Sequence, residues 1–281
     1  MKEVTKRIFL AVVVIPVLII IIFFLPFMHY IALLGGILLF TFIGTREFVS
    51  ISLKDDISRT GSFFSAFSGL IFPVLFYLQV NNWITTLGME ISLAAVFSLI
   101  LILNLVRYEK KEDTAALKRI TVQISSVIYP GFFLGYLIKL TALPHNSGLV
   151  IFFFLVIFIN DSAAYTFGML FGRKSWKPFR VSPKKSIVGF IGGTTAAVVS
   201  GMVFTILFPE VLPATLTEAV LLSFILSATA NIGDLIESVL KRSAGVKDSG
   251  TVMMGRGGVL DSIDSLLFSA PVYYFMLLFL Q

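Results

Sequence analysis

The feature that most constrains this chain is a succession of apolar runs, each about 20 residues long, along its whole length. An α-helix of about 20 residues spans the hydrocarbon core of a bilayer. Backbone polar groups in lipid must bond within their own segment, so each run is expected to be a helix. Charged residues make up only 14% of the chain, against about 25% in a soluble domain. We therefore predict an all-α, polytopic integral membrane protein.

About nine spans are predicted, and no soluble insert is long enough to form a second domain. We therefore expect a single membrane domain over 1–281, with a five-span hydrophobic part at 1–145 and a four-span catalytic part at 146–281. The first run follows a charged start but is too long for a cleaved signal peptide, so it is predicted to be retained. The predicted spans are 8–28, 30–46, 61–80, 85–106, 119–140, 147–171, 187–208, 215–235 and 260–280.

Lysine and arginine predict the orientation. Of the 22 such residues, 21 lie in or at the edge of alternate loops, and Lys139 is the exception. Cytoplasmic loops carry this excess, which places the N-terminus in the cytoplasm and Gln281 outside. The net charge of +6 is then explained by topology and by anionic lipid or phosphate ligands, and not by nucleic acid. The predicted cytoplasmic segments are 1–7, 46–60, 107–119, 172–186 and 236–259.

The longest polar interval, 231–264, combines acids, cations and glycines. Carboxylates bind divalent metals, cations bind phosphates, and glycines let the backbone approach a ligand, which predicts a polyphosphate site. The chain has no cysteine, which excludes thiolate chemistry. Both histidines, His29 and His145, fall on the outer side of the predicted topology, so histidine catalysis and His-zinc sites are not expected at this interval.

Two aspartates at the start of the last predicted span suggest a metal. Asp261 and Asp264 are three residues apart, so they share a helical face. A divalent ion such as Mg²⁺ would offset their repulsion. Capping of the helix N-terminus by acidic side chains is an open alternative. Earlier in the interval, Asp234 is followed on one face by Lys241, and a solvated amphipathic turn around Glu237 is the alternative there.

Asp161 lies inside an apolar run, about ten residues from its predicted inner end. A carboxylate at such a depth costs about 2.5–3.5 kcal/mol on insertion scales and usually faces a cavity with a partner. Neighbouring Asn160, Ser162 and Tyr165 would make that cavity polar. We therefore favour a functional over a structural role for Asp161.

The loop 172–186 carries six cations and no acid. The positive-inside rule alone explains such a loop, but the density of charge favours contact with phosphate or anionic lipid. Ser182 and Pro183 predict a turn that presents Lys184 and Lys185. The next span is predicted to have a small-residue face for close helix contact, formed by Gly189, Gly192 and Gly193.

The interval 231–264 resembles the C-terminal signature of the phosphatidate cytidylyltransferases, the CDP-diacylglycerol synthases. That signature, S-x-x-K-R-x(4)-K-D-x(7)-H-G-G-x-x-D-R-x-D, is matched from Ser238 to Asp264 with its spacing intact. A second match runs from Asp161 to Gly193. The chain departs from the family pattern at Val188, Met254, Arg256 and Ser262, where the family has an acid or amide, Pro, His and Arg.

The resemblance implies an enzyme that transfers the cytidylyl group of CTP to phosphatidic acid and releases pyrophosphate. It implies Mg²⁺, as one ion or two, a homodimer in the lipid bilayer, and no nucleic-acid partner. We expect a multi-pass protein of a bacterial cytoplasmic membrane with its active site facing the cytoplasm. A CTP-dependent polyprenol kinase is one alternative, and a secondary transporter, with Asp161 carrying ions or protons, is another.

The resemblance also implies roles for individual residues. Asp234, Asp261 and Asp264 are the expected metal ligands. The expected catalytic residues are Asp161, Lys241, Asp261 and Asp264, and the expected substrate-binding residues are Ser182, Lys184, Lys185, Ser238, Arg242, Lys247 and Arg256.

Overall fold

A computed structural model describes residues 16–17, 19–53, 65–110, 115–253 and 257–280. In this part of the chain the structure is helical, with no β-strand and one isolated bridge between Met253 and Gly257. The prediction of an all-α protein is confirmed. The helices are α1 Phe27–Leu53, α2 Ile71–Val80, α3 Thr86–Lys110, α4 Ala116–Ser126, α5 Phe133–Leu140, α6 Asn146–Phe171, α7 Ile187–Leu207, α8 Leu216–Ser243 and α9 Leu260–Leu280.

Seven helical segments in the described residues are long and apolar enough to cross a membrane. They correspond to seven of the nine predicted spans, so the multi-pass prediction is confirmed. The predicted span 61–80 corresponds to a shorter apolar helix, Ser65–Val80, and the span 8–28 lies largely outside the described residues. The seven are Tyr30–Leu53, Thr86–Glu109, Ala116–Leu140, Asn146–Lys174, Ile187–Leu207, Leu216–Ser243 and Leu260–Leu280.

Two helices run further than predicted. The predicted spans ended at 46 and 235, but α1 continues to Leu53 and α8 to Ser243. The acids near these boundaries, Glu47 and Glu237, are buried helical residues. A buried carboxylate requires hydrogen bonds or an ion pair, and both acids have such partners within their own units.

The span Ala116–Leu140 contains an irregular turn. Between α4 and α5 the chain forms a π-helical segment, Val127–Phe132, that includes Pro130. Proline has no N–H and its ring clashes with the carbonyl four residues earlier. A wider π-type turn accommodates that clash without ending the span.

The described residues form two compact units, and the first comprises those within Pro26–Lys139 together with 248–253 and 257–262. Helix α1 packs against α2 and α4, and α3 packs against α4. Aromatic rings fill the core of this unit: Phe132 lies edge-on to Phe72 at 4.7 Å and to Tyr136 at 5.0 Å between ring centroids.

The second unit comprises the described residues within Leu140–Lys247 and Ile263–Leu280, with 16–17 and 19–25. Helix α7 packs closely against α6, and α8 packs against both. A Cβ placed on Gly193 would lie 2.9 Å from the Ala164 Cβ and from the Asn160 carbonyl oxygen. The predicted small-residue face of α7 is therefore confirmed.

Candidate active site

Asp264 lies in the second turn of α9 and is 7% exposed. The negative charges of Asp161, Asp234 and Glu237 act on it within the second unit. Its Oδ1 accepts hydrogen bonds from the Ser265 backbone N–H at 2.6 Å and from the Ser265 hydroxyl at 3.2 Å. Capping side chains act at the first turn of a helix, and Asp264 lies beyond that turn. Asp264 therefore does not cap α9.

Asp161, on α6, is half-buried among polar side chains. The Asn160 side-chain amide donates to Asp161 Oδ1 at 3.2 Å, and the Ser265 hydroxyl lies 3.4 Å from Asp161 Oδ2. Asn160 in turn accepts from the Ser227 hydroxyl at 2.7 Å and donates to the Asn231 side chain at 3.4 Å. Of the predicted polar neighbours, Asn160 contacts Asp161, whereas Ser162 and Tyr165 are exposed. The observed contacts link α6, α8 and α9.

Two lysines neutralise acids of this group. Lys185 forms an ion pair with Asp234, and Lys241 forms one with Glu237, four residues earlier on α8. The Glu237 side chain is fully buried and that of Lys241 is 13% exposed. The solvated-turn alternative for Glu237 is thus wrong, because this side chain is fully buried. Lys185 was predicted to bind substrate and Lys241 to be catalytic, and both lie beside acids here.

The loop between α6 and α7 is held by short polar contacts. The Ser182 carbonyl accepts from the Lys185 N–H at 3.0 Å, so the predicted turn is confirmed. The Ser186 side chain accepts from the Gly189 N–H at 3.2 Å and caps α7, as expected of an N-cap serine. Lys184 is exposed on this turn, whereas Lys185 is half-buried.

The remaining predicted phosphate binders lie towards the end of α8 and beyond it. Arg242 is exposed, and its guanidinium donates to the Val181 and Val246 carbonyl oxygens at 3.5 and 3.3 Å. Ser238 is buried and Lys247 is exposed. Arg256 lies outside the described residues, as does Met254.

Asp261 belongs to the first unit and binds the glycine-rich loop. Its Oδ2 accepts from the Gly258 N–H at 2.7 Å and the Ser249 N–H at 2.8 Å, and the Ser249 hydroxyl oxygen lies 3.0 Å from it. Gly257 adopts a φ of +94°, and a Cβ there would lie 2.5 Å from the same oxygen. This close approach requires glycine. The predicted role of Asp261 as a metal ligand rests on the sequence.

Sequence reasoning missed Glu47. This residue of α1 is 8% exposed and accepts hydrogen bonds from the Ser249 hydroxyl and from the Val259 and Leu260 N–H groups, at 2.8–3.0 Å. The available signal was a lone carboxylate in an apolar run, FTFIGTREFVS. The same signal was used for Asp161, but the neighbouring arginine made Glu47 resemble an ordinary helix boundary.

The donor set of the second unit fits Mg²⁺ in its chemistry. Its acids supply oxygen ligands, which Mg²⁺ prefers. In the described part of the chain, no group of three or more His, Cys, Asp or Glu side chains is placed to hold a metal ion together. An all-protein cage is not required, because Mg²⁺ is usually held by one or two carboxylates together with substrate phosphates and water.

This fold and these residues define a class of protein: a multi-pass helical membrane protein with a partly buried group of acids and lysines. The chain belongs to the cytidylyltransferase family, whose model matches residues 5–280. The family recognised from the sequence is therefore confirmed.

Two similar proteins span nearly the whole chain. The phosphatidate cytidylyltransferase of Thermotoga maritima is 30% identical over 292 residues, which cover 100% of this chain and 98% of that protein. The phosphatidate cytidylyltransferase of Bacillus subtilis is 31% identical over 255 residues, covering 90% and 89% respectively. The similarity thus extends beyond the two C-terminal motifs to the first five predicted spans.

Proposed function

We propose that this protein transfers the cytidylyl group of CTP to phosphatidic acid, forming CDP-diacylglycerol and pyrophosphate. The observation that carries the proposal is the buried Asp264 in the field of three acids, two of which are paired with lysines, in a chain of the cytidylyltransferase family. The names of the two relatives supply the lipid substrate. The position of this group within membrane-spanning helices suits a substrate that enters from the bilayer.

In this reaction an oxygen of the lipid phosphate attacks the α-phosphorus of CTP. A new P–O bond forms, and the bond from the α-phosphorus to the bridging oxygen of pyrophosphate breaks. Nucleophile and leaving group are already anionic, so the protein need not supply a histidine base. Its work is to hold two crowded phosphates in line and to offset their charge.

Residues of the second unit would perform these tasks. Lys185, now paired with Asp234, would bind substrate phosphate when CTP is present. Lys241, now paired with Glu237, would do the same. Asp264 and Asp234 would hold Mg²⁺, which acts as a Lewis acid on phosphoryl oxygens when bound. Asp161, held by Asn160, would orient water or the ion from α6. The proposal covers both one Mg²⁺ ion and two.

The reaction is tested with purified protein, phosphatidic acid, Mg²⁺ and CTP labelled at either the α- or the γ-phosphate. We expect α-label in the lipid phase and γ-label in pyrophosphate. Transfer of γ-label to a lipid or polyprenol acceptor would instead identify a kinase and reject the proposal. No lipid-phase label from either nucleotide would reject both enzymes and favour the transporter alternative.

Lys185 and Lys184 provide a test of nucleotide binding. Lys185→Ala removes the half-buried ammonium next to Asp234, so the KM for CTP should rise by about 10–150-fold, as expected for about 1.5–3 kcal/mol from a charged hydrogen bond. Lys184→Ala should raise it less, because Lys184 is exposed. Steady-state kinetics with CTP and lipid varied separately measure both constants.

Lys177→Ala is the matched control for the Lys185 experiment, because it removes an exposed cation from the same loop. Its KM for CTP should stay near the native value. If all three variants have equal constants, the loop cations serve membrane orientation only.

We further propose that the site faces the cytoplasm of a bacterial inner membrane and that the enzyme is a homodimer. The lysine and arginine bias supports the orientation. Exposed leucines along α3, such as Leu99, Leu101 and Leu105, suit contact with lipid or a second copy. The homodimer rests on the family resemblance, and chemical cross-linking in native membranes would test it.

Orientation can be measured directly, because the chain has no native cysteine. Cysteines placed singly at Lys54, Lys110, Lys177 or Lys247 should be protected from an impermeant maleimide in intact cells and labelled after lysis. Cysteines at His145 or Gln281 should label without lysis. Labelling of position 177 or 247 in intact cells would overturn the proposed topology.

A further inference from the structure

Glu47 binds a segment of the chain more than 200 positions away. Its Oε2 accepts from the Ser249 hydroxyl at 2.9 Å and from the Leu260 N–H at 2.8 Å, and its Oε1 accepts from the Val259 N–H at 3.0 Å. All of these residues belong to the first unit. Hydrogen bonds to an ionised acceptor are among the strongest in proteins.

The start of α9 needs an acceptor from elsewhere. The first N–H groups of a helix have no partner within it. The residue before α9 is Val259, whose side chain has no oxygen to cap them, unlike serine, threonine or aspartate. Glu47 supplies this acceptor from α1, and its negative charge also suits the positive end of the α9 dipole.

The glycine-rich loop closes tightly around the same carboxylate. A Cβ on Gly250 would lie 2.4 Å from Glu47 Oε1, and one on Gly258 would lie 2.3 Å from Glu47 Oε2. These two glycines therefore permit the backbone to reach the carboxylate. The conformation of the loop therefore depends on Glu47, and the hydrogen bonds of Glu47 depend on the conformation of the loop.

Ser249 connects Glu47 to a predicted site residue. Its hydroxyl lies 2.9 Å from Glu47 Oε2 and 3.0 Å from Asp261 Oδ2, and its N–H donates to the same Asp261 oxygen at 2.8 Å. Asp261 also accepts from the Gly258 N–H. A change at Glu47 would thus reach the Asp261 carboxylate through one intervening side chain.

We infer that Glu47 is a positioning residue: it holds the described parts of the glycine-rich loop, 248–253 and 257–258, and the first turn of α9 so that Asp261 is oriented for cytidylyl transfer. The inference rests on the proposed function, but the anchoring of the loop is testable without any substrate. Glu47 needs no contact with CTP or lipid to act in this way.

The anchor is tested by limited trypsin digestion in detergent without substrate. Trypsin cleaves after Lys247 and Arg256, on either side of Ser249. In Glu47→Gln, which keeps the shape but loses the charge and one acceptor, cleavage at these sites should be about 10–100-fold faster. Cleavage after Lys177, in a different loop, should be unchanged. An unchanged rate at Lys247 and Arg256 would overturn the anchor.

The link to catalysis is tested by kinetics on the same variants. Loss of a residue that orients a catalytic ligand typically costs about 10–100-fold in activity, so kcat should fall by that factor in Glu47→Gln while the KM for lipid stays constant. Ser249→Ala, a milder change, should lower kcat in the same direction. Their double variant should lose less than the product of the two effects, because both act through one contact.

Thr45→Val is the matched control, since Thr45 is a fully buried residue of the same helix and valine keeps its shape. It should have native cleavage rates and native kcat. Faster loop cleavage with native kcat in Glu47→Gln would overturn the positioning role. If the native protein transfers no α-label, the proposed function fails, and the trypsin result still decides whether Glu47 anchors the loop.

Discussion

Asp264→Asn should abolish cytidylyl transfer and leave the protein at least as stable as the native chain. The native carboxylate is 7% exposed and lies in the field of Asp161, Asp234 and Glu237. Burial of an acid among like charges is costly, and a neutral amide of the same shape removes that cost. A destabilising residue that a protein retains is expected to be needed for its function.

The expected loss of activity follows from the charge that asparagine cannot supply. Lewis-acid activation by a carboxylate-held metal ion is worth several kcal/mol, which corresponds to a decrease in kcat of roughly 100–1,000-fold or more. The Asn variant should respond only partly to excess Mg²⁺. Activity is measured with α-labelled CTP and stability by thermal unfolding in detergent with a chelator present.

Glu210→Gln is the control for Asp264→Asn, because it removes an exposed carboxylate from the loop between α7 and α8. Both its activity and its stability should match the native protein. Near-native transfer by Asp264→Asn would reject the metal role of this residue. A large fall in its thermal stability would instead show that Asp264 is needed for folding.

The sequence predicted those parts of the fold that depend on local composition. An apolar run of about 20 residues has few structures available to it in lipid, so the spans containing α3, α6, α7 and α9 were placed to within a few residues of their observed ends. The glycine face of α7 was equally local, because close helix packing selects small residues at a fixed spacing.

The sequence analysis did not predict the burial of two acids near helix ends, Glu47 and Glu237. Glu47 was given no role, and a solvated amphipathic turn was the alternative for Glu237. The structure buries both, and the partners that make this possible differ in kind. Lys241 is four residues from Glu237, so the pair was visible in the sequence. Ser249 and Val259 are over 200 residues from Glu47, and one sequence gives no means of pairing them.

In the candidate site, too, contacts that are local in sequence differ from those between residues far apart in sequence. Asp161 was identified because its position in an apolar run is costly whatever surrounds it. Its contact with Asn160 is between neighbours in sequence, whereas the contact with Ser265 joins α6 to α9. The ion pair of Lys185 with Asp234 was also not predicted, since both were assigned separate ligands.

Lys241→Met should produce the second large effect, and it acts on stability and activity together. The substitution leaves the Glu237 carboxylate, whose side chain is fully buried, without its lysine partner. Removal of one member of a buried ion pair typically costs about 3–5 kcal/mol, because the remaining charge stays buried. We expect a clear decrease in thermal stability and the loss of cytidylyl transfer.

The double variant Lys241→Met, Glu237→Gln separates these two effects. It removes both charges, and replacement of a whole buried pair by neutral groups is often close to neutral for stability. Thermal unfolding should therefore return towards the native temperature. Transfer should remain impaired by about 10–150-fold, the value of about 1.5–3 kcal/mol for a lost charged hydrogen bond to phosphate.

The single variant Glu237→Gln completes the comparison. It keeps the Lys241 ammonium and removes the partner that competes with substrate phosphate for it, so the KM for CTP should fall or stay constant. Recovery of full activity in the double variant would show that Lys241 serves only to neutralise Glu237 within α8. If the double variant is stable but inactive and Glu237→Gln is active, the charge of Lys241 itself is needed for phosphate binding.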